Sequence, residues 1–256
     1  MPDPQSASKQ TAFITGASYG IGAACALALA RDGYALALSA TRLENLAATR
    51  AKLEAMGTKV VAMALDIRSP ASIDKALQEA VGALGRLDVL VNNAGVTLRK
   101  KALEVTAQEW ESVMATNVTG TFFMSQRMGR HLIDGGRPGC IINMGSTHGL
   151  VGMAGRSTYG ISKAAISHMT RMLAIEWAEH GIRVNAIAPG RVDSKSPARA
   201  ATSNDPKYLE SALNRIPLKR FTTVEDVAEA VRYLASSAAA CITGQTLVLD
   251  GGLTAQ

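Results

Sequence analysis

The chain has 256 residues, 47% of them hydrophobic and 19% charged, with a formal net charge of +6 and an isoelectric point near 9.4. That is enough chain for one α/β domain, and the dominance of Ala, Leu, Val and Ile over aromatics suits a buried parallel sheet flanked by helices. No apolar run reaches the roughly 18 residues of a membrane span, the polar stretch 1–8 reads as flexible and lacks the pattern of a signal peptide, and the basic residues are scattered apart from Arg99-Lys100-Lys101, so neither membrane nor nucleic acid is expected as a partner.

The chain alternates strand-like and helical patterns from Gln10 onward. Ala12–Ile14 reads as a strand, Ile21–Arg31 as a helix ended by Gly33, Ala35–Ser39 as a second strand and Leu43–Met56 as a helix closed by Gly57. Val60–Leu65 is a third strand, Pro70 opens a helix to Leu84, and Asp88–Val91 is a fourth strand. A long helix is expected over Ala107–Leu132, then a strand over Gly139–Asn143, a helix reaching His180 and a strand over Arg183–Ile187. Helical patterns at Tyr208–Asn214 and Val224–Ala235 and a last strand at Thr246–Leu249 complete the series. Seven strands separated by helices, with no hairpin signal, repeat or linker, predict a single-domain, doubly wound, seven-stranded parallel sheet over residues 1–256.

The first strand runs into Thr15-Gly16-Ala17-Ser18-Tyr19-Gly20-Ile21-Gly22 and then a helix. Glycines in a strand-to-helix turn let the backbone close tightly around a pyrophosphate, and the helix N-terminus offers free N–H groups and partial positive charge. The spacing is Gly-x3-Gly-x-Gly rather than the commoner Gly-x-Gly-x2-Gly. Further polar residues and glycines sit at the carboxyl ends of later strands, where such folds bind ligands: Asp66 and Ile67, then Asn93-Ala94-Gly95, then Pro189-Gly190. Asn117 falls inside the predicted long helix, where asparagine is mildly unfavourable, so it either caps a local irregularity or serves the site.

Ser146 follows the fifth strand, and Tyr159 and Lys163 lie one turn apart on one face of the next helix. Tyrosine titrates at about 10 and exchanges protons poorly at pH 7 unless a neighbouring cation favours the phenolate. Lysine at that spacing is such a cation. Cys25, Cys140 and Cys241 stand in apolar contexts at unrelated spacings and read as buried thiols of a cytoplasmic protein. Neither they nor the four histidines show metal-ligand spacing, so no metal is expected.

Taken in order, Thr15-Gly16, Asn92-Asn93-Ala94-Gly95, Asn117, Ser146, Tyr159-x3-Lys163, Pro189-Gly190 and the tail from Thr243-Gly244-Gln245 to Asp250-Gly251-Gly252 resemble the short-chain dehydrogenase/reductase family over essentially the whole chain. The resemblance implies a Rossmann-type fold, a nicotinamide cofactor, a homotetramer and a catalytic set. Tyr159 would be the acid in carbonyl reduction and the base in alcohol oxidation. Ser146 would polarise the carbonyl, Lys163 would favour the phenolate and hold the nicotinamide ribose, and Asn117 would position a water beside Lys163.

Cofactor contacts would come from Gly16, Ser18, Tyr19, Gly20, Ile21, Thr41, Arg42, Asp66, Ile67, Asn93, Ala94, Gly95, Tyr159, Lys163, Pro189, Gly190 and Val192. Ala40 stands where NAD-linked relatives carry Asp, and Thr41 and Arg42 suit a 2′-phosphate, which favours NADP(H), with NAD(H) the other option; Tyr19, where many NADP-linked relatives place a basic residue, argues against it. Substrate contacts are expected from Ser146, His148, Met153 and Arg156 and from the region 191–215. The pattern is similar to 3-oxoacyl-carrier-protein reductases and to sugar-acid and polyol dehydrogenases. Carrier-protein reductases usually present two arginines to the carrier; Arg130 matches one position and Ile175 replaces the other. A non-catalytic dinucleotide-binding regulator would typically lose the tyrosine or lysine, both of which this chain keeps.

Overall fold

A computed structural model describes residues 10–193 and 206–255. Seven strands make one parallel sheet: β1 (Thr11–Ile14), β2 (Ala35–Ala40), β3 (Val60–Ala64), β4 (Val89–Asn92), β5 (Gly139–Met144), β6 (Ile182–Pro189) and, last in the chain, β9 (Thr246–Leu249). Their order is β3-β2-β1-β4-β5-β6-β9, so the chain reverses direction across the sheet between β1 and β4. The crevice at such a switch point, outside the carboxyl ends of the strands, is where open α/β sheets bind ligands.

The central strands are apolar on both faces because both are covered. Every residue of β1 and β2 is buried, as parallel sheets require. On one face Ile14, Leu36 and Leu38 pack with α1 (Gly20–Arg31), α2 (Ala47–Ala55) and α8 (Val224–Ala235). On the other, Phe13 and Leu90 pack with α3 (Pro70–Leu84), α5 (Thr121–Asp134) and α6 (Ser157–Trp177). Local chemistry delimits these helices. Ser69 accepts from the Ser72 N–H ahead of Pro70, and a left-handed Gly85 ends α3. Reciprocal capping boxes open α4 (Ala107–Met114) at Thr106/Glu109 and α8 at Thr223/Asp226.

Three departures from the sequence expectations matter. The helix expected over Ala107–Leu132 is interrupted by a π-helical segment, Ala115–Gly120, which carries Asn117. The helix expected over Leu43–Met56 begins as a 3-10 turn, Leu43–Leu46. A second, two-stranded parallel sheet pairs β7 (Val192–Asp193) with β8 (Thr222–Thr223), strands too short to leave an alternating pattern. The helix near Tyr208 is α7 (Pro206–Asn214). Part of the 191–215 region, residues 194–205, lies outside the described residues, as does the 1–8 stretch. Cys25 and Cys140 are buried thiols, but Cys241 is exposed, because it sits on the turn before β9 rather than in a strand.

Candidate functional site

The glycine loop is built around its own backbone. Gly16 and Gly20 have φ of +66° and +60°, conformations that an L side chain adopts only with strain. A Cβ on Gly22 would lie 2.3 Å from the Gly16 carbonyl oxygen and 2.6 Å from Asn93 Nδ2; that glycine makes room for the loop more than for helix-on-sheet packing. The Thr15 hydroxyl accepts from the N–H groups of Asn93 and Ala94, both at 3.0 Å, and Asn93 Nδ2 donates to the carbonyls of Thr15 and Gly16 at 3.1 and 2.8 Å. The ends of β1 and β4 are thereby fastened together across the switch point.

Helix α1 then starts without a side-chain cap and with no acidic residue in its first turn. Its leading N–H groups have no side-chain acceptor, which is the arrangement a phosphate anion satisfies. These residues fit a dinucleotide pyrophosphate. Beyond the loop, β2 ends at the buried Ala40 with no carboxylate, and Thr41 and Arg42 are exposed beside it. At the end of β3, Asp66 is held by Arg68, whose Nε and Nη2 donate to its two oxygens at 2.9 and 2.8 Å. That pairing holds the carboxyl below its usual range. Asp66 is therefore structured by its neighbour before any adenine reaches it. Ile67 is buried, and its carbonyl lies so close to the π-helical segment that a Cβ on Gly120 would come within 2.6 Å of it.

Asn117 resolves the question its position raised, since it both sits in a local irregularity and faces the site. It is 1% exposed. Its Oδ1 accepts from the Val96 N–H at 2.8 Å, and its Nδ2 donates to the Val96 carbonyl at 2.9 Å and to the Ser162 hydroxyl at 3.0 Å. Ser162 Oγ in turn donates to the Tyr159 carbonyl at 2.7 Å. The wider turn of a π-helix directs the amide at these partners, a placement common at functional sites. Gly95 lies over this group, for a Cβ there would be 3.2 Å from Asn117 Oδ1 and 3.6 Å from Lys163 Nζ.

Ser146, at the end of β5, is buried, and its Oγ accepts from the His148 N–H at 3.2 Å. A 3-10 turn, Thr147–Gly149, brings the His148 ring edge-on to the Tyr159 ring with centroids 6.1 Å apart. Close packing sets this arrangement: a Cβ on Gly149 would lie 2.6 Å from the Lys163 carbonyl carbon, and one on Gly160 2.8 Å from the His148 carbonyl oxygen. Lys163 is 6% exposed. Its Nζ donates to the Met144 carbonyl at 2.6 Å and lies 5.8 Å from the centre of the Tyr159 ring. Burial lowers its pKa from 10.5 to about 8, so at neutral pH it is a desolvated cation close to its titration point.

The fold thus gathers Asn117, Ser146, His148, Tyr159 and Lys163 at the ends of β4 and β5, with the glycine loop beside them. Pro189 and Gly190 end β6, where the Gly190 N–H donates to the Leu249 carbonyl at 2.9 Å, and Val192 is buried in β7. Met153 is 40% exposed. Arg156 donates to Thr97 in the loop after β4, and the Arg191 guanidinium stacks 4.9 Å from the centre of the Phe221 ring. Thr15 and Ser162 were not singled out from the sequence as site residues. The signal for Ser162 is the same as for Asn117, a residue that competes with helical backbone bonds set in mid-helix; Thr15 stands in the resemblance motif, but its bonds to the Asn93 and Ala94 N–H groups have no signal in the sequence.

Comparison with known proteins places this geometry. Residues 16–254 match a family model described as enoyl-(acyl carrier protein) reductase. The chain is 37% identical over 244 residues to a glucose 1-dehydrogenase of Gluconobacter oxydans, covering 94% of this chain and 91% of that protein. It is 36% identical over 241 residues to a 3-oxoacyl-[acyl-carrier-protein] reductase of Thermotoga maritima, covering 94% and 96%. The crystal structure of a short-chain type dehydrogenase/reductase from Mycobacterium marinum superposes with a TM-score of 0.92 at 34% identity, covering 97% of each chain. With the parallel sheet, the uncapped glycine loop and these relatives together, the chain is an oxidoreductase of the short-chain dehydrogenase/reductase family, whose members bind a nicotinamide dinucleotide.

Proposed function

We propose that this chain interconverts a ketone or aldehyde and the corresponding alcohol, with Tyr159 as the general acid/base. The observation that carries the reading is the grouping of Ser146, Tyr159 and a buried Lys163 at the carboxyl end of β5, with Asn117 behind them. A nicotinamide dinucleotide, when bound, would supply or take up the hydride. Gly16, Ser18, Tyr19, Gly20 and Ile21 would hold its pyrophosphate, Asp66 and Ile67 would flank the adenine, and Asn93, Ala94, Gly95, Tyr159, Lys163, Pro189, Gly190 and Val192 would line the nicotinamide half. The Ser146 hydroxyl donates to the carbonyl oxygen and polarises it. Tyr159 passes its phenolic proton to the same oxygen as the alcohol forms, and takes it back in the reverse direction. The Lys163 cation favours the phenolate so produced, and Asn117 orders a water through which Lys163 exchanges protons with solvent.

NADP(H) is the favoured cofactor in this proposal, because the exposed Thr41 and Arg42 follow a β2 end that carries no carboxylate to repel a 2′-phosphate. The substrate is proposed to be a small free carbonyl compound or polyol. Support comes from Ile175, 77% exposed where a carrier-protein reductase would present its second arginine. The proposed assembly is a homotetramer, supported by exposed apolar side chains on α4 to α6, Trp110, Phe122, Ile161 and Ile175, and on β9, Leu247 and Val248.

The deciding experiment is a panel of ketones and alcohols, including acetoacetyl thioesters and gluconate-type sugar acids, followed by NADPH absorbance for wild type and Tyr159→Phe. Turnover by the wild type that disappears in the variant, with NADPH affinity kept, supports the mechanism. A variant that keeps its turnover removes Tyr159 from the role.

A further inference from the structure

Two loops that adjoin Asn117 and the first turn of α6 are joined to each other. The loop after β4, Val96 to Lys101, and the loop before α6, Leu150 to Arg156, are far apart in sequence and share no sheet or helix. Arg156 Nη1 donates to the Thr97 hydroxyl at 2.9 Å and to the Leu98 carbonyl at 3.4 Å. The Lys100 N–H donates to the Gly155 carbonyl at 2.9 Å, and Gly155 supplies the left-handed turn, φ +73°, that presents that carbonyl.

Both loops are also fixed to the body of the protein at their ends. Val96 is held at N–H and C=O by Asn117. The Lys100 ammonium donates to both oxygens of Glu109, each at 2.9 Å, and Glu109 is the residue that closes the capping box of α4. On the other side, the Arg156 carbonyl accepts from the Gly160 N–H at 2.7 Å in the first turn of α6, the turn that carries Tyr159.

From this geometry we infer that the Arg156–Thr97 and Lys100–Gly155 bonds form a latch that holds this wall of the substrate entrance shut, and that Arg156 sets substrate size through it rather than by binding substrate charge. The inference rests on the proposed carbonyl chemistry for its catalytic readout. The first loop is pinned at Val96 and at Lys100, so the second, pinned at Arg156, swings away from it only if the bonds between them break. An arginine whose terminal nitrogen is bound to a hydroxyl and a carbonyl across the gap acts as a strut, and as a positioning residue for the wall. Breaking the latch widens the entrance on the side of Val96 to Leu98, so bulky carbonyl compounds gain access relative to small ones.

The test uses Thr97→Val, which removes only the hydroxyl, and Arg156→Met, which keeps an unbranched apolar stem. The first readout is amide hydrogen exchange of the full chain without ligand. Loss of one such bond is expected to speed exchange at Lys100 about fivefold in either variant. The second readout is the ratio of kcat/KM for a bulky and a small ketone that the wild type reduces, such as acetophenone and 2-butanone, which rises severalfold in both variants. Acetoacetate against ethyl acetoacetate separates the alternative. If Arg156→Met loses activity on the anion alone while Thr97→Val behaves as wild type, Arg156 binds substrate charge and the inference is overturned. Unchanged exchange at Lys100 in both variants overturns the latch itself. A wild type that reduces no carbonyl compound refutes the proposed function and the size filter with it, while the exchange data still decide whether the latch exists.

Discussion

Replacing Lys163 by methionine separates what the buried cation does for stability from what it does for chemistry. The side chain is 6% exposed and burial lowers its pKa from 10.5 to about 8, a drop that corresponds to about 3 kcal/mol of destabilisation wherever the folded protein carries the charge. Methionine has nearly the same length and no charge, so it relieves that cost. It also removes the 2.6 Å bond to the Met144 carbonyl, and a buried carbonyl without its donor costs about 1–3 kcal/mol. At pH 7 the two nearly cancel or favour the variant, so Lys163→Met should unfold at a urea concentration equal to or above that of wild type, with no carbonyl reduction. The pH dependence is the sharper signature. Between about 8 and 10.5 the folded state has released the proton while the unfolded chain still holds it, so wild-type stability rises with pH through that window, and below about 8 the whole cost is present. The stability difference between variant and wild type should therefore shift toward wild type by about 3 kcal/mol on going from pH 7 to pH 10.5. Urea titrations of both proteins at pH 7, 8.5 and 10 measure it. A variant less stable than wild type by several kcal/mol at pH 7, with a difference that does not move with pH, would refute the reasoning.

Other consequences are as direct. Gly22→Ala puts a methyl group 2.3 Å from the Gly16 oxygen and 2.6 Å from Asn93 Nδ2; it should cost about 1–3 kcal/mol in thermal unfolding and weaken NADPH binding in a fluorescence titration, whereas a proper fit of the alanine would leave both unchanged. Asn117→Leu leaves the Val96 N–H and the Ser162 hydroxyl without their partner, so at least about 2 kcal/mol of stability is expected to go, read by urea denaturation. His131 Nε2 accepts from the Leu87 N–H at 3.2 Å, and burial together with Arg137 lowers its pKa below 6.5. The unfolded chain takes up that proton first as pH falls, so the stabilisation present above about 6.5 is lost on acidification; His131→Gln should flatten the wild-type loss of stability between pH 6.5 and 5, and an equal slope in both proteins would count against it.

Periodicity and composition carried the fold a long way in this protein. A strand such as Ala35–Ala40, apolar but for Ser39, is covered on both faces, and Pro70 marks a helix start within a single turn. The same locality made Gly16–Gly22 readable as a phosphate loop and Tyr159 with Lys163 readable as one face of a helix. Those inferences need nothing beyond neighbours in sequence.

What the sequence could not decide are the contacts made across the fold. In the π-helical turn at Ala115–Gly120, Asn117 bonds to Val96 and Ser162, 21 and 45 residues away; no local pattern encodes those contacts, and periodicity alone predicts a continuous helix. Asp66 carries no sign in the sequence of its pairing with Arg68, which the fold shows. Arg156 stands in the sequence as a bare cation, and only the fold shows that it donates to the Thr97 hydroxyl, 59 residues earlier. Lys163 next to Tyr159 was legible, but its burial against the Met144 carbonyl, which brings its pKa to about 8, was not. Residue type and spacing set which groups the chain carries and on which element. Their partners and their dielectric surroundings, and hence their charge and reach, come from segments that only the packed sheet brings together.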